Sequence, residues 1–270
     1  MKGGRRVQAV IFIPARFASS RFPGKPLAAI RGATGQARSL IRRSWDAACA
    51  ALPPAQVFVL TDSAEIAEPA RGFGAQVLMT PAGCRNGSER CAAALEQLET
   101  RPDVVINLQG DALLTPPDFV AALMQEMRDA PAVSVATPVL KTSPEQLANL
   151  LADRRAGRAG ATTAVFDARR DALYFSKEIL PHYDDAPADA VAVYHHVGCY
   201  AYRPGALEAY LDLPEGPLER REGLEQLRFL ENGLPVRCVP VSPPAHEFWE
   251  LNNPSDIPII EAILARGGLV

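Results

Sequence analysis

Apolar residues in this chain fall into short runs, each closed by Gly, Pro or polar residues. The run from Val7 to Ile13 reads as a strand covered on both faces. Ala37 to Leu52 has helical character. Next comes "QVFVLTD", Gln56 to Asp62, an apolar run ending in Thr-Asp. A short helix is expected over Ala64 to Gly72 and a strand over "AQVLMT", Ala75 to Thr80. "RNGSERCAAALEQL" is a turn leading into a helix, and "DVVINLQGDALL" a strand ending in a polar turn. Pro117 to Arg128 reads as helix and "VSVATPVL" as strand. Strand and helix thus alternate through the first half with short connections. That pattern predicts an α/β fold, a Rossmann-like, mostly parallel sheet with helices on both faces.

From about Leu140 the texture changes. "SPEQLANLLADRRAGRAG" is helical and then loop-like, "ATTAVFDARRDALYFSK" reads as two strands around a turn, and "DDAPADA" is a polar insertion. "HHVGCYAYR" reads as one apolar strand with polar ends. "ERREGLEQLRFLENG" reads as a charged amphipathic helix ending at Gly233, with Leu224, Leu227 and Leu230 as its core face. "PVRCVPV" is a late strand and "NNPSDIPIIEAILARGG" a closing helix. Residues 1–270 read as one domain with a smaller α+β elaboration.

Ligands of parallel α/β sheets bind beyond the carboxyl ends of the strands. Arg16 to Lys25, Thr61-Asp62 and Gln109-Gly110-Asp111 all follow apolar runs, so all three are expected on one rim. The first is "IPARFASSRFPGKPL", with Arg16, Arg21 and Lys25 among Ser, Gly and Pro. Backbone N–H groups and cations of this kind suit an anion such as a phosphate chain. The plainer alternative is a solvated basic loop. GxxxxGK[ST] is absent, so this is no Walker A loop. Asp111, just past an apolar run, could hold Mg²⁺ or simply cap a helix or turn. Ser88 could line a site at a helix N-terminus with Arg90 nearby, or serve as an N-cap after an Asn86-Gly87 turn. His195 and His196 point to opposite faces, so at most one faces a given pocket.

The formal net charge is −3, with 48% hydrophobic and 22% charged residues. No overall basic character suggests nucleic acid. The five cysteines, Cys49, Cys84, Cys91, Cys199 and Cys238, show no CxxC spacing, which argues for free thiols and a cytoplasmic setting. No segment reads as a membrane span. GxSxG and transition-metal spacings are absent.

Taken in order, "IPARFASSRFPGKPL", "VFVLTDSAEI", "MTPAGCRNGSER", "VVINLQGD", "ALYFSKEILP", "HVGCYAYR" and "PLERREGLEQLRFLENGLPV" resemble the CMP-Kdo synthetase (3-deoxy-manno-octulosonate cytidylyltransferase) family over nearly the whole length. The resemblance implies a nucleotide-diphospho-sugar transferase type of fold. It also implies CMP transfer from CTP to the anomeric hydroxyl of an acidic 3-deoxy-2-ulosonic sugar, giving a CMP-sugar and pyrophosphate. Arg16, Arg21 and Lys25 would hold the triphosphate, with Arg16, Lys25 and Asp111 as the catalytic set. Gln109 would contact the nucleotide, and Ser88 and Arg90 would line the cytosine side. Lys177, His196, Tyr200, Glu225 and Gln226 would form the sugar pocket, with Lys177 where the family usually has Arg. Mg²⁺ would sit on Asp111 and on position 252, and residues 140–215 would carry sugar binding and a homodimer contact.

Three departures stand out. Ala112 and Leu113 replace the Glu-Pro after Gln-Gly-Asp. Asn252 stands where the family has the second metal carboxylate, with Glu250 two residues away. "GRAGATTAVFD" replaces the family's Asn-Pro-Asn-Val-Val-Lys stretch. These departures keep three alternatives open: a paralogue activating a different acidic acceptor, a catalytically weakened nucleotide-binding homologue, and a glycosyltransferase on a similar sheet. The last would want an Asp-x-Asp motif after a first-half strand, and none is present.

Overall fold

In the computed structural model, which describes residues 7–18, 22–157, 161–182, 192–244 and 249–270, the first apolar run forms β1 (Ala9–Pro14). A small antiparallel pair follows, β2 (Ala29–Arg31) and β3 (Ala37–Ser39). The first half continues with α1 (Leu40–Ala51), β4 (Val57–Thr61), α2 (Ala64–Gly72), β5 (Gln76–Met79), α3 (Gly87–Leu95), β6 (Val104–Leu108), α4 (Pro117–Asp129) and β7 (Val135–Lys141). The second half holds α5 (Pro144–Arg155), β8 (Thr163–Phe166), β9 (Ala172–Ser176), β10 (Tyr194–His196), β11 (Cys199–Tyr202), α6 (Pro204–Asp212), α7 (Pro217–Glu222), α8 (Leu227–Glu231), β12 (Arg237–Val241) and α9 (Ile257–Arg266). The "DDAPADA" insertion and Arg21 lie outside the described residues.

The sheet runs β5-β4-β1-β6-β11-β7-β10-β8-β9, with β12 added along β7. Its first four strands are parallel, as the alternation of strand and helix requires. The second half is antiparallel apart from β12, which runs parallel to β7. β11 inserts between β6 and β7, so the later elements are knitted into the main sheet.

Side-chain alternation along the central strands sets the two faces. Ile11, Ile13, Val57, Val59, Val104 and Ile106 point into one core layer with Ile41 and Trp45 of α1 and Phe119 and Leu123 of α4. Phe12, Leu60 and Val105 point into the other, against Cys91 of α3, Tyr210 of α6 and Phe229 of α8. A third layer packs Ile260, Ile263 and Leu264 of α9 on Leu40, Leu113, Leu114 and Leu251.

Three expectations change. The helix expected from Ala37 begins at Leu40, because Ala37–Ser39 pairs with β2 and the Ser39 hydroxyl caps α1 by accepting from the Arg42 N–H. "HHVGCYAYR" is two strands: β10 pairs with β7 and β8, and β11 with β6 and β7, with Val197-Gly198 between them. "ERREGLEQLRFLENG" is two short helices, because Gly223 adopts φ 63° and ends α7. Leu224, Leu227 and Leu230 still face the core, and the break leaves Glu225 and Gln226 at the start of α8.

Candidate active site

Strands β4, β1 and β6 are parallel neighbours, so the segments after them share one rim. There the Lys25 ammonium donates to Asp111 Oδ2 at 2.7 Å and to the Leu251 carbonyl at 3.0 Å. Asp111 is therefore no helix cap. Leu251 is buried in the third core layer, and its N–H donates to the Asp111 carbonyl at 3.3 Å. Those contacts lay residues 250–252 along the turn after β6.

Glu250 reaches the same place. The Gly198 N–H donates to its carboxylate. A Cβ on residue 198 would stand 3.2 Å from Glu250 Oε1, a tight contact, and 3.5 Å from the Gln109 carboxamide, so glycine there makes room for the Glu250 carboxylate. Burial, and then the Asp111 charge, push the Glu250 carboxyl up to about 7, with Lys25 opposing.

Gln109 Nε2 donates to Glu225 Oε1 at 3.2 Å, and the Ser88 N–H donates to Glu225 Oε2 at 3.1 Å. Glu225 thus ties the start of α3 to the turn after β6. Burial raises its pKa above the ordinary carboxyl value, and the Ser88 N–H works against that shift. Asn86 caps α3, accepting from the Glu89 N–H at 2.9 Å, so Ser88 is a first-turn residue and not the cap. The Ser88 hydroxyl shares a 2.9 Å hydrogen bond with the Tyr202 hydroxyl. Arg90 is buried and bonded to Thr80 Oγ1 at 2.5 Å and Asp62 Oδ2 at 3.2 Å. It therefore fixes α3 to the rim.

Beyond Glu225 lies a buried polar cluster. Tyr200 donates to Gln226 Oε1 at 3.1 Å. The His196 ring lies 5.5 Å from the Tyr200 ring and 5.1 Å, edge-on, from Phe175. His196 Nε2, Gln226 Nε2 and both side-chain polar atoms of Asn107 have no hydrogen-bond partner among the described residues. Buried polar groups are ordinarily paired, so these atoms are open to hydrogen bonds from water or a ligand. Desolvation lowers the His196 pKa to about 3, so the ring is neutral at physiological pH.

The structure thus brings together Lys25, Ser88, Gln109, Asp111, His196, Tyr200, Glu225 and Gln226. Arg16 follows β1 and is exposed. Lys177 is also exposed; its ammonium lies beside Gly223, 3.2 Å from where a Cβ would be. Asn252 is half-buried, and its backbone N–H donates to Asp256 Oδ2 at 2.8 Å. Sequence reasoning missed Asn107, Tyr202 and Gly198. The signals were a lone amide inside "VVINL" and a glycine between two strands.

The donor set fits a hard divalent cation. Carboxylates of Asp111 and Glu250, with the Asn252 amide nearby in sequence, offer the oxygen ligands Mg²⁺ prefers. The Lys25 ammonium, held by two oxygens, shows that positive charge is accommodated there. Among the described residues, no group of three or more His, Cys, Asp or Glu is placed to hold a metal. A cation here would therefore depend on phosphate oxygens as well.

A sequence profile described as Cytidylyltransferase matches residues 10–238. The chain belongs to that family. A 3-deoxy-manno-octulosonate cytidylyltransferase of Maricaulis maris is 40% identical over 256 residues, 95% of this chain and 96% of its own. One from Zea mays is 37% identical over 262 residues, 97% of this chain and 82% of its own. A solved CMP:2-keto-3-deoxy-manno-octonic acid synthetase complexed with CTP superposes with TM-score 0.80 at 33% identity, covering 96% of this chain and 99% of that one. The expected nucleotidyltransferase fold and cytidylyltransferase membership therefore hold. No helix among the described residues is long and apolar enough to cross a membrane.

Proposed function

We propose that this cytidylyltransferase transfers CMP from CTP to the anomeric hydroxyl of 3-deoxy-manno-octulosonate or a closely related 3-deoxy-2-ulosonic acid, releasing pyrophosphate. One observation carries the reading. Three hydrogen-bonded pairs, Lys25–Asp111 on the rim, Gln109–Glu225 beside it and the buried Tyr200–Gln226, are joined by short stretches of chain, with the His196 ring against Tyr200. One end suits a phosphate chain and the other a polyhydroxylated acid. The curated relatives and the CTP-bound neighbour are named for this chemistry.

In the proposed reaction the anomeric oxygen bonds to the α-phosphorus as the bond from that phosphorus to the bridging oxygen breaks. Pyrophosphate leaves and the hydroxyl proton passes to solvent. Such transfers depend on positioning and charge stabilisation. Lys25, with Arg16 and Arg21, would neutralise the departing pyrophosphate. Ser88, Gln109 and Arg90 would shape the nucleotide side, and Gln226, Tyr200, His196 and Lys177 the sugar side. Mg²⁺, held through Asp111 and the 250–252 segment, would supply further charge neutralisation on the triphosphate.

The same reading includes a cytoplasmic homodimer. The free cysteines suit a reducing compartment. A second reading, a paralogue for another acidic acceptor, draws on Lys177, whose point charge lacks the fork with which Arg grips a carboxylate. The test is to incubate the protein with each of the four nucleoside triphosphates and a panel of ulosonic acids, measuring pyrophosphate. Release only with CTP and a 3-deoxy-2-ulosonic acid is expected. Release with another nucleotide, or without any acid, would overturn the proposal. CTP uptake without release would favour the weakened homologue.

A further inference from the structure

Resting on that reading, the cation site can be specified further. Asn252 offers only a neutral amide, a weaker ligand for a divalent cation than a carboxylate. Glu250 is better placed than its sequence position suggests. Leu251 is anchored in the core, and its N–H and carbonyl are bonded to the Asp111 carbonyl and the Lys25 ammonium, respectively. Glu250 is therefore held next to the turn that carries Asp111. The Gly198 N–H donates to its carboxylate, and the absent Cβ of Gly198 leaves that carboxylate room. The cation already at this spot is the Lys25 ammonium. The Asn252 backbone N–H donates to Asp256 Oδ2 at 2.8 Å.

We propose that Glu250 supplies the carboxylate that position 252 lacks, so that a divalent cation binds between Asp111 and Glu250 once the triphosphate draws Lys25 away. Mn²⁺ is the probe, because its free and bound forms are distinguished by electron paramagnetic resonance. Titrated in the presence of CTP, Glu250→Gln should bind Mn²⁺ at least about tenfold more weakly than the unaltered protein. The amide keeps the size and the acceptor for the Gly198 N–H, so the fold is retained. Asn252→Ala should change Mn²⁺ affinity less than about threefold, and Glu250→Gln with Asn252→Asp should recover most of the loss. An unchanged affinity in Glu250→Gln, with a loss in Asn252→Ala, would overturn the assignment. CTP uptake by calorimetry, in EDTA and in Mg²⁺, separates the two levels. No uptake under either condition would overturn the functional reading and this assignment together; uptake with unaltered Mn²⁺ binding in Glu250→Gln would overturn the assignment alone.

Discussion

Lys25 and Asp111, 86 residues apart in sequence, form an ion pair whose two side chains are each 19% exposed. The pair joins the basic loop after β1 to the acidic turn after β6, and both side chains keep partial exposure. The proposed chemistry needs both charges for the triphosphate and its cation.

Removing the carboxylate tests that need. Asp111→Ala should abolish turnover while the far-ultraviolet circular dichroism spectrum and melting temperature stay near those of the parent protein. Near-parental activity would contradict the role given to Asp111.

Lys25→Met should weaken CTP binding by about 10- to 100-fold, the worth of a hydrogen bond to a charged group. Isothermal calorimetry measures it directly. An unchanged affinity would place the phosphate grip elsewhere on the rim.

Asn252→Asp restores the residue type found at that position in the resembled family. Activity with Mg²⁺ should be retained or raised, measured as pyrophosphate release. Total loss would show that the Asn252 side chain has a different task.

Stability rests partly on Arg228, which is 1% exposed and donates to both oxygens of Glu219 and to Glu89. Its guanidinium also lies 4.3 Å from the Tyr210 ring centroid. Arg228→Ala strands the buried Glu219 carboxylate, while Glu89 keeps Arg85, and should cost about 3 kcal/mol in urea unfolding. A cost below about 1 kcal/mol would contradict this picture.

Acid should weaken the fold through His196. Burial holds its folded pKa at about 3, with the His195 charge adding to the effect, whereas an unfolded histidine titrates near 6.5. Between pH 7 and 5 the unfolded chain takes up a proton that the folded one refuses. Stability is therefore full above 6.5 and falls by about 2 kcal/mol over that interval from this residue alone. His196→Gln should show a pH-dependent loss smaller by that amount in urea unfolding at the two pH values. An equal loss in both proteins would contradict a neutral, buried His196.

Much of this was legible in the chain itself. The runs around Ile11, Val59 and Ile106 announced a parallel sheet because strands covered on both faces carry apolar residues at successive positions. The rim followed from what came after them, so Lys25 and Asp111 could be placed together before any coordinates. What stayed hidden depends on tertiary context. The insertion of β11 between β6 and β7 leaves no local signature. The leucines around Gly223 keep helical spacing even where the backbone breaks, so spacing alone runs a helix through it. Glu250 became a candidate of weight only when Gly198, distant in sequence, proved to make room for its carboxylate.

The most direct test of the account is a phosphorus NMR time course of the protein with CTP, Mg²⁺ and 3-deoxy-manno-octulosonate. The account predicts that the triphosphate signals give way to one phosphodiester resonance and pyrophosphate in equal amounts. Unchanged CTP, or conversion to CDP and inorganic phosphate, would contradict it.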